Sequence, residues 1–81
     1  MGQRDQTFAE RLGHAMGLRG LRQADLVRQA VAHGGHLGKS QVSQYVSGKV
    51  TPRADVCGLL ADVLDVDRAW LREFYIFLSQ L

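Results

Sequence analysis

Val56, Leu59, Leu60, Val63 and Leu64 recur at i, i+3, i+4, i+7 and i+8. That spacing gathers side chains on one face of an α-helix and on no face of a strand. Thr51 and Pro52 stand just before the run, with Asp55 three residues further on. The order predicts Thr51 as cap, Pro52 at the first helical position and Asp55 in the first turn, where its charge meets the positive helix end. A helix with so apolar a stripe has to bury it. The rest of the 81-residue chain must therefore supply surfaces to pack against it.

Those surfaces also read as helices. Thr7 and Glu10 form a capping-box pattern ahead of Phe8, Leu12, Ala15 and Met16, with Gly17 as the expected stop and Gly20 as a turn. A second helix is expected from Gln23 to Ala32, with Leu26, Val27, Ala30 and Val31 on its inner face and Asp25 in its first turn. His33-Gly34-Gly35-His36-Leu37-Gly38 breaks the pattern, and Leu37 is expected to plug back into the core. A third helix runs from Lys39 to Val46, with Gly38 as its cap, Gln41 reaching back to the backbone and Gly48 at its end. A fifth starts after Asp67, with Val66 and Leu71 as a hydrophobic staple, and continues towards the C-terminus. No alternating pattern of useful length, no repeat and no low-complexity tract is present. The expected fold class is all-α: one compact five-helix domain over residues 1–81, with a core at 7–66 and a C-terminal helix at 67–81.

Charge is distributed unevenly. Residues 1–53 carry eight Lys/Arg against three Asp/Glu, whereas residues 54–81 carry two against five. A positive half faces polyanions favourably, although a net charge of +2 alone implies only a solvated surface. The start of the chain lacks the apolar core of a signal peptide, and no apolar run is long enough to cross a bilayer. The single cysteine, Cys57, has no internal partner and fits a reducing, cytoplasmic setting.

The third helix carries the chemistry. Residues 39–53 hold Lys39, Lys49 and Arg53 and no acid. Val42 and Val46, four residues apart, can fix the helix to a core. Lys39, Ser40, Gln41, Ser43 and Gln44 then point outward. Gln pairs with adenine, Lys reaches guanine and Ser serves either, so this face suits a DNA groove.

With these pieces in order, the chain resembles the phage repressor and Cro-type helix-turn-helix family, also called XRE-like or lambda-repressor-like. The resemblance spans residues 7–71. It rests on Gly20-Leu21-Arg22-Gln23-Ala24-Asp25-Leu26, Ser40-Gln41-Val42-Ser43-Gln44-Tyr45, Ser47-Gly48-Lys49 with Pro52, and Leu59-Leu60-Ala61-Asp62-Val63-Leu64-Asp65-Val66. It implies a helix-turn-helix made of helices two and three, the latter lying in the major groove. Lys39, Ser40 and Gln44 match the family's usual base readers, with Gln41 and Ser43 beside them on bases or phosphates. Gln23, Ser47, Lys49 and Arg53 match phosphate contacts, and Arg22 lies close to that set. The implied function is a transcriptional regulator, a repressor bound as a dimer to a pseudo-palindromic operator. An antitoxin neutralising a protein partner is the alternative.

Three features depart from the family pattern. Val31 to Gly35 amount to about one extra turn between helices two and three, so either helix two is longer or the loop bulges. Arg22 stands where a capping Ser or Thr is usual. Asp65 replaces a common glycine after helix four, in a turn aspartate can tolerate.

Two other readings carry less weight. His33, His36 and Cys57 invite a metal, but no second cysteine pair completes a ligand set, and no metal or cofactor is expected. No phosphate loop and no nucleophile–base–acid set point to an enzyme. At the C-terminus Trp70, Leu71, Phe74, Tyr75, Ile76, Phe77 and Leu78 cannot all face one small core. Such a patch needs a partner. The resemblance implies a homodimer through Trp70, Leu71, Phe74, Tyr75, Phe77 and Leu78, or a further domain or protein that covers them.

Overall fold

A computed structural model describes residues 7–72. Five helices follow one another: α1 (Phe8–Arg19), α2 (Gln23–Ala32), α3 (Lys39–Ser47), α4 (Ala54–Leu64) and α5 (Arg68–Arg72). No strand occurs among the described residues. The expected all-helical fold class is the observed one.

The expected capping box opens α1. Thr7 Oγ1 accepts from the Glu10 N–H at 3.2 Å, and Glu10 Oε1 accepts from the Thr7 N–H at 2.9 Å. The helix does not stop at Gly17, however. It runs to Arg19 and ends on Gly20 in the left-handed region. A glycine inside a helix costs about 1 kcal/mol relative to alanine, yet the helix continues through Gly17 to the left-handed Gly20. Arg19 donates through Nε to the Leu64 carbonyl at 2.9 Å and through Nη2 to the Asp65 carbonyl at 3.0 Å. The end of α1 therefore caps the end of α4.

Asp65 adopts φ 57°, the left-handed turn that its sequence position suggested. The start of α4 differs from expectation. The helix begins at Ala54 with Arg53 in the cap position, and neither Thr51 nor Pro52 is helical. Its first backbone bond runs from the Cys57 N–H to the Arg53 carbonyl at 2.9 Å. Pro52 is buried in the preceding loop.

The extra residues between α2 and α3 form a bulged connection rather than a longer helix. α2 ends at Ala32, and the Gly35 N–H returns to the Ala30 carbonyl at 2.9 Å. A Cβ at Gly35 would lie 2.5 Å from Leu59 Cδ2, so a larger residue there would require the Leu59 side chain to move. Leu37 is fully buried, as its position predicted. Two contacts thus pin the connection, and α3 is presented from a fixed base.

Leu12, Leu26, Leu37, Leu60, Leu64 and Leu71 are fully buried and draw on α1, α2, the connection, α4 and α5. Each buried leucine contributes about 1.5–3 kcal/mol. Val42 and Tyr45 join them from α3, with Val46 partly covered. The apolar stripe of α3 is therefore used inward, and its polar side is left outward. Asp67 Oδ1 accepts from the Ala69 N–H at 2.8 Å and opens α5.

Candidate nucleic-acid interface

The start of α2 is set by Asp25. Arg22 occupies the cap position but has no side-chain acceptor. Asp25 supplies the missing contact from the other direction, its Oδ2 accepting from the Arg22 N–H at 2.8 Å. Its Oδ1 accepts from Arg28 Nη2 at 2.7 Å. The Arg22 N–H and then the Arg28 guanidinium hold this carboxyl below its ordinary pKa. Only the reciprocal half of a capping box is therefore made, and the Asp25 N–H bonds to the Arg22 carbonyl at 2.9 Å instead of to a cap side chain.

The start of α3 is set by Gln41. Its Oε1 accepts from the Gly38 N–H at 3.0 Å, and its Nε2 donates to the Tyr45 hydroxyl at 2.8 Å. At the other end Gly48 takes φ 86°, and the Lys49 N–H returns to the Gln44 carbonyl at 3.0 Å. A residue with a Cβ would be strained at that φ. Both ends of α3 are fixed by bonds within the chain.

Between α2 and α3 lies a groove lined by Gln23, Ala24, Val27, Lys39, Ser40, Ser43, Gln44 and Lys49. It has two lysines, four neutral hydrogen-bonding side chains and no acid. Lys39, Ser40, Ser43, Gln44, Gln23 and Lys49 are all exposed. Six of the residues singled out from the sequence therefore meet on one surface, drawn from the start of α2, from α3 and from the loop after it.

The other singled-out positions stand apart. Gln41 is half-buried, and both its amide groups are engaged within the chain. Gln41 thereby holds the helix that presents the others. Ser47 is exposed but donates its hydroxyl proton to the Gln44 carbonyl at 3.2 Å, so a phosphate contact requires its side chain to turn. Arg53 is exposed at the cap of α4. The Arg22 side chain is 87% exposed, with Nε 3.7 Å from Asp25.

At the other end of the domain Leu71 is fully buried in the chain's own core. This corrects its placement at a dimer interface, because the side chain has no surface to offer. Trp70 is half-buried beneath the Arg11 guanidinium, which lies 5.2 Å from the ring centroid and also donates to the Trp70 carbonyl. Phe74, Tyr75, Phe77 and Leu78 fall outside the described residues.

Sequence reasoning missed Ala24 and Val27. They share the face of Gln23 at helical spacing, and that spacing was the available signal. Val27 packs on the core, as expected, and also lines the groove. His33 and His36 line a separate concavity with Asp55, Asp62 and Arg68, away from the groove. Among the described residues no three His, Cys, Asp or Glu side chains are placed to hold a metal ion. No helix of the described residues is long and apolar enough to cross a membrane.

Two short helices joined by a connection, the second held at both ends with its polar side outward, define a helix-turn-helix domain. Residues 12–71 match the family model described as helix-turn-helix, and the chain belongs to that family, the lambda-repressor-like or XRE type. It is on that ground a DNA-binding regulatory domain. Neither the curated proteins nor the solved structures contain a match to this chain.

Proposed function

We propose that this protein is a sequence-specific repressor that binds a pseudo-palindromic operator in double-stranded DNA as a homodimer. It would do so in the cytoplasm of a bacterial cell, blocking polymerase by occupying the site. The observation that carries this reading is the acid-free groove between α2 and α3, with Lys39, Ser40, Ser43 and Gln44 exposed along it. Lys39, Ser40 and Gln44 read base edges, and Ser43 reads a base or a phosphate. Gln23 meets a phosphate at the amino end of α2, where backbone N–H groups favour an anion. Lys49, Arg53, Arg22 and a reoriented Ser47 supply the remaining phosphate contacts. These contacts fix register and carry the salt dependence.

The DNA-reading part of the single domain 1–81 is its core at 7–66, to which Leu71 also belongs, and the rest of 67–81 is the pairing segment. In that segment Trp70, Phe74, Tyr75, Phe77 and Leu78 are the apolar candidates. Two copies would meet half-sites about 34 Å apart, one helical turn. Selection from a random duplex pool at two salt concentrations tests the reading. An enriched palindrome supports it, and no enrichment contradicts it. The acidic, aromatic final third favours a second reading, an antitoxin whose C-terminal helix neutralises a protein partner. Co-purification of one stoichiometric protein would support that reading.

A further inference from the structure

A concavity of about 400 Å³ lies where the α2–α3 connection meets α4 and the start of α5. His33 and His36 line it from the connection, Asp55 and Asp62 from α4, and Arg68 from α5. None of the five lines the groove between α2 and α3.

Two observations set this concavity apart from an ordinary charged surface. Arg68 Cζ, Nη2 and Nη1 lie 3.0, 3.1 and 3.3 Å from where a Cβ on Gly58 would stand. The guanidinium therefore rests across the α4 backbone at a buried glycine, in a helix interior where glycine costs about 1 kcal/mol relative to alanine. Two carboxylates line the same concavity, yet among the described residues the Arg68 side chain makes no ion pair and no hydrogen bond. A seated cation and two carboxylates thus share one space without joining across it.

A simple anion entering that space meets Asp55 and Asp62, and a simple cation meets Arg68. A small group that carries both charges satisfies the set. From this complementarity we infer that the concavity binds a free α-amino acid. Its carboxylate lies on the Arg68 fork, which is built for two parallel bonds to a carboxylate. Its ammonium lies on Asp62 and on the Asp55 oxygen that the Val56 N–H leaves unused. His33 and His36 add hydrogen-bonding nitrogens from the connection. An occupied site ties the connection to α4 and α5, close to the base from which α3 is presented. The binding itself does not depend on the DNA-reading function proposed above.

The test is an amide nuclear magnetic resonance titration of the full chain without DNA. Each of the common amino acids is added singly, and acetate with methylammonium supplies the two charges unlinked. The expected result is saturable shifts on Gly34, Gly35, Asp62 and Arg68 with at least one amino acid, and none with the unlinked pair at the same concentration. Arg68→Gln and Asp62→Asn each remove a charge-assisted hydrogen bond and should weaken that binding by at least about tenfold. Both positions are exposed, so one variant decides if the other folds poorly. The inference is overturned if no amino acid gives saturable shifts, or if both variants keep the parent's affinity. Equal shifts from the unlinked pair would mean an adventitious ion only, and would overturn it too. Each of these outcomes leaves the DNA-reading function standing, because no duplex enters the experiment.

Discussion

Gln41 donates to the Tyr45 hydroxyl at 2.8 Å, one turn further along α3, while accepting from the Gly38 N–H at 3.0 Å. One side chain thus ties the helix start to a tyrosine that is itself buried in the core. Gln41→Ala removes a cap and leaves the Tyr45 hydroxyl without this donor. It is expected to cost about 1 kcal/mol of stability. The sequence selected from a random pool should stay the same, because Gln41 positions the reading face and does not belong to it. A changed base preference with unchanged stability would return Gln41 to the reading set.

Gln44 and Lys49 lie on the same groove but are expected to behave differently. Gln44→Ala should lose discrimination at one base position, by about 1–3 kcal/mol. Lys49→Ala should weaken all duplexes alike and lower the magnitude of the salt slope by about one. Competition binding with single-base operator variants at several salt concentrations separates the two outcomes. If both variants bound like the parent, neither residue would contact the duplex.

Asp65 holds a left-handed turn at φ 57°, where its carboxylate pairs with Arg19 at 3.0 Å. Its side chain is 85% exposed, so that pair is worth at most about 1 kcal/mol. Glycine adopts the same turn without strain. Asp65→Gly is therefore expected to leave stability within about 0.5 kcal/mol, strain relief offsetting the lost pair. Asp65→Val should lower it by about 1–2 kcal/mol. Urea unfolding of the two variants checks the order, and equal stabilities would remove the turn from the account.

Asp25 gives the fold an acid sensitivity. Its folded-state pKa is lowered, chiefly by the Arg22 N–H and then by Arg28. A lowered value means that its stabilising contribution is fully present above the ordinary carboxylate pKa. That contribution is lost as pH falls through the ordinary value towards the folded one. Unfolding midpoints of the parent and of Asp25→Asn should differ most near neutral pH. They should converge as pH falls through the ordinary carboxylate value towards the lowered folded one. A difference independent of pH would mean that the ionised form of Asp25 is not what holds the start of α2.

The helices were legible wherever periodicity and caps agreed. α2 and the start of α1 followed from spacing and the Thr7–Glu10 box. Ends that depend on distant parts of the chain were less legible. The last turn of α1 is closed locally by Gly20 in the left-handed region and joined to α4 by Arg19, so of the two glycines in this stretch the later one, and not Gly17, is the stop. The burial of Pro52 likewise takes a tertiary contact to explain, so the start of α4 was placed too early. In the groove the polar residues of α3 stood out because their neighbours lack acids. Gln41 has the same side chain as Gln44, and only the fold separates a capping amide from an exposed one. Leu71 resembled the aromatic residues after it until α5 was packed against the core.

Residue-by-residue mapping of the selected duplex on the protein by amide nuclear magnetic resonance shifts tests the central claim most directly. The largest shifts are expected on Gln23, Lys39, Ser40, Ser43, Gln44 and Lys49, with little change on the α4 face near Asp62. Shifts gathered around Arg11, His14 and Trp70 instead, with the groove unchanged, would contradict it.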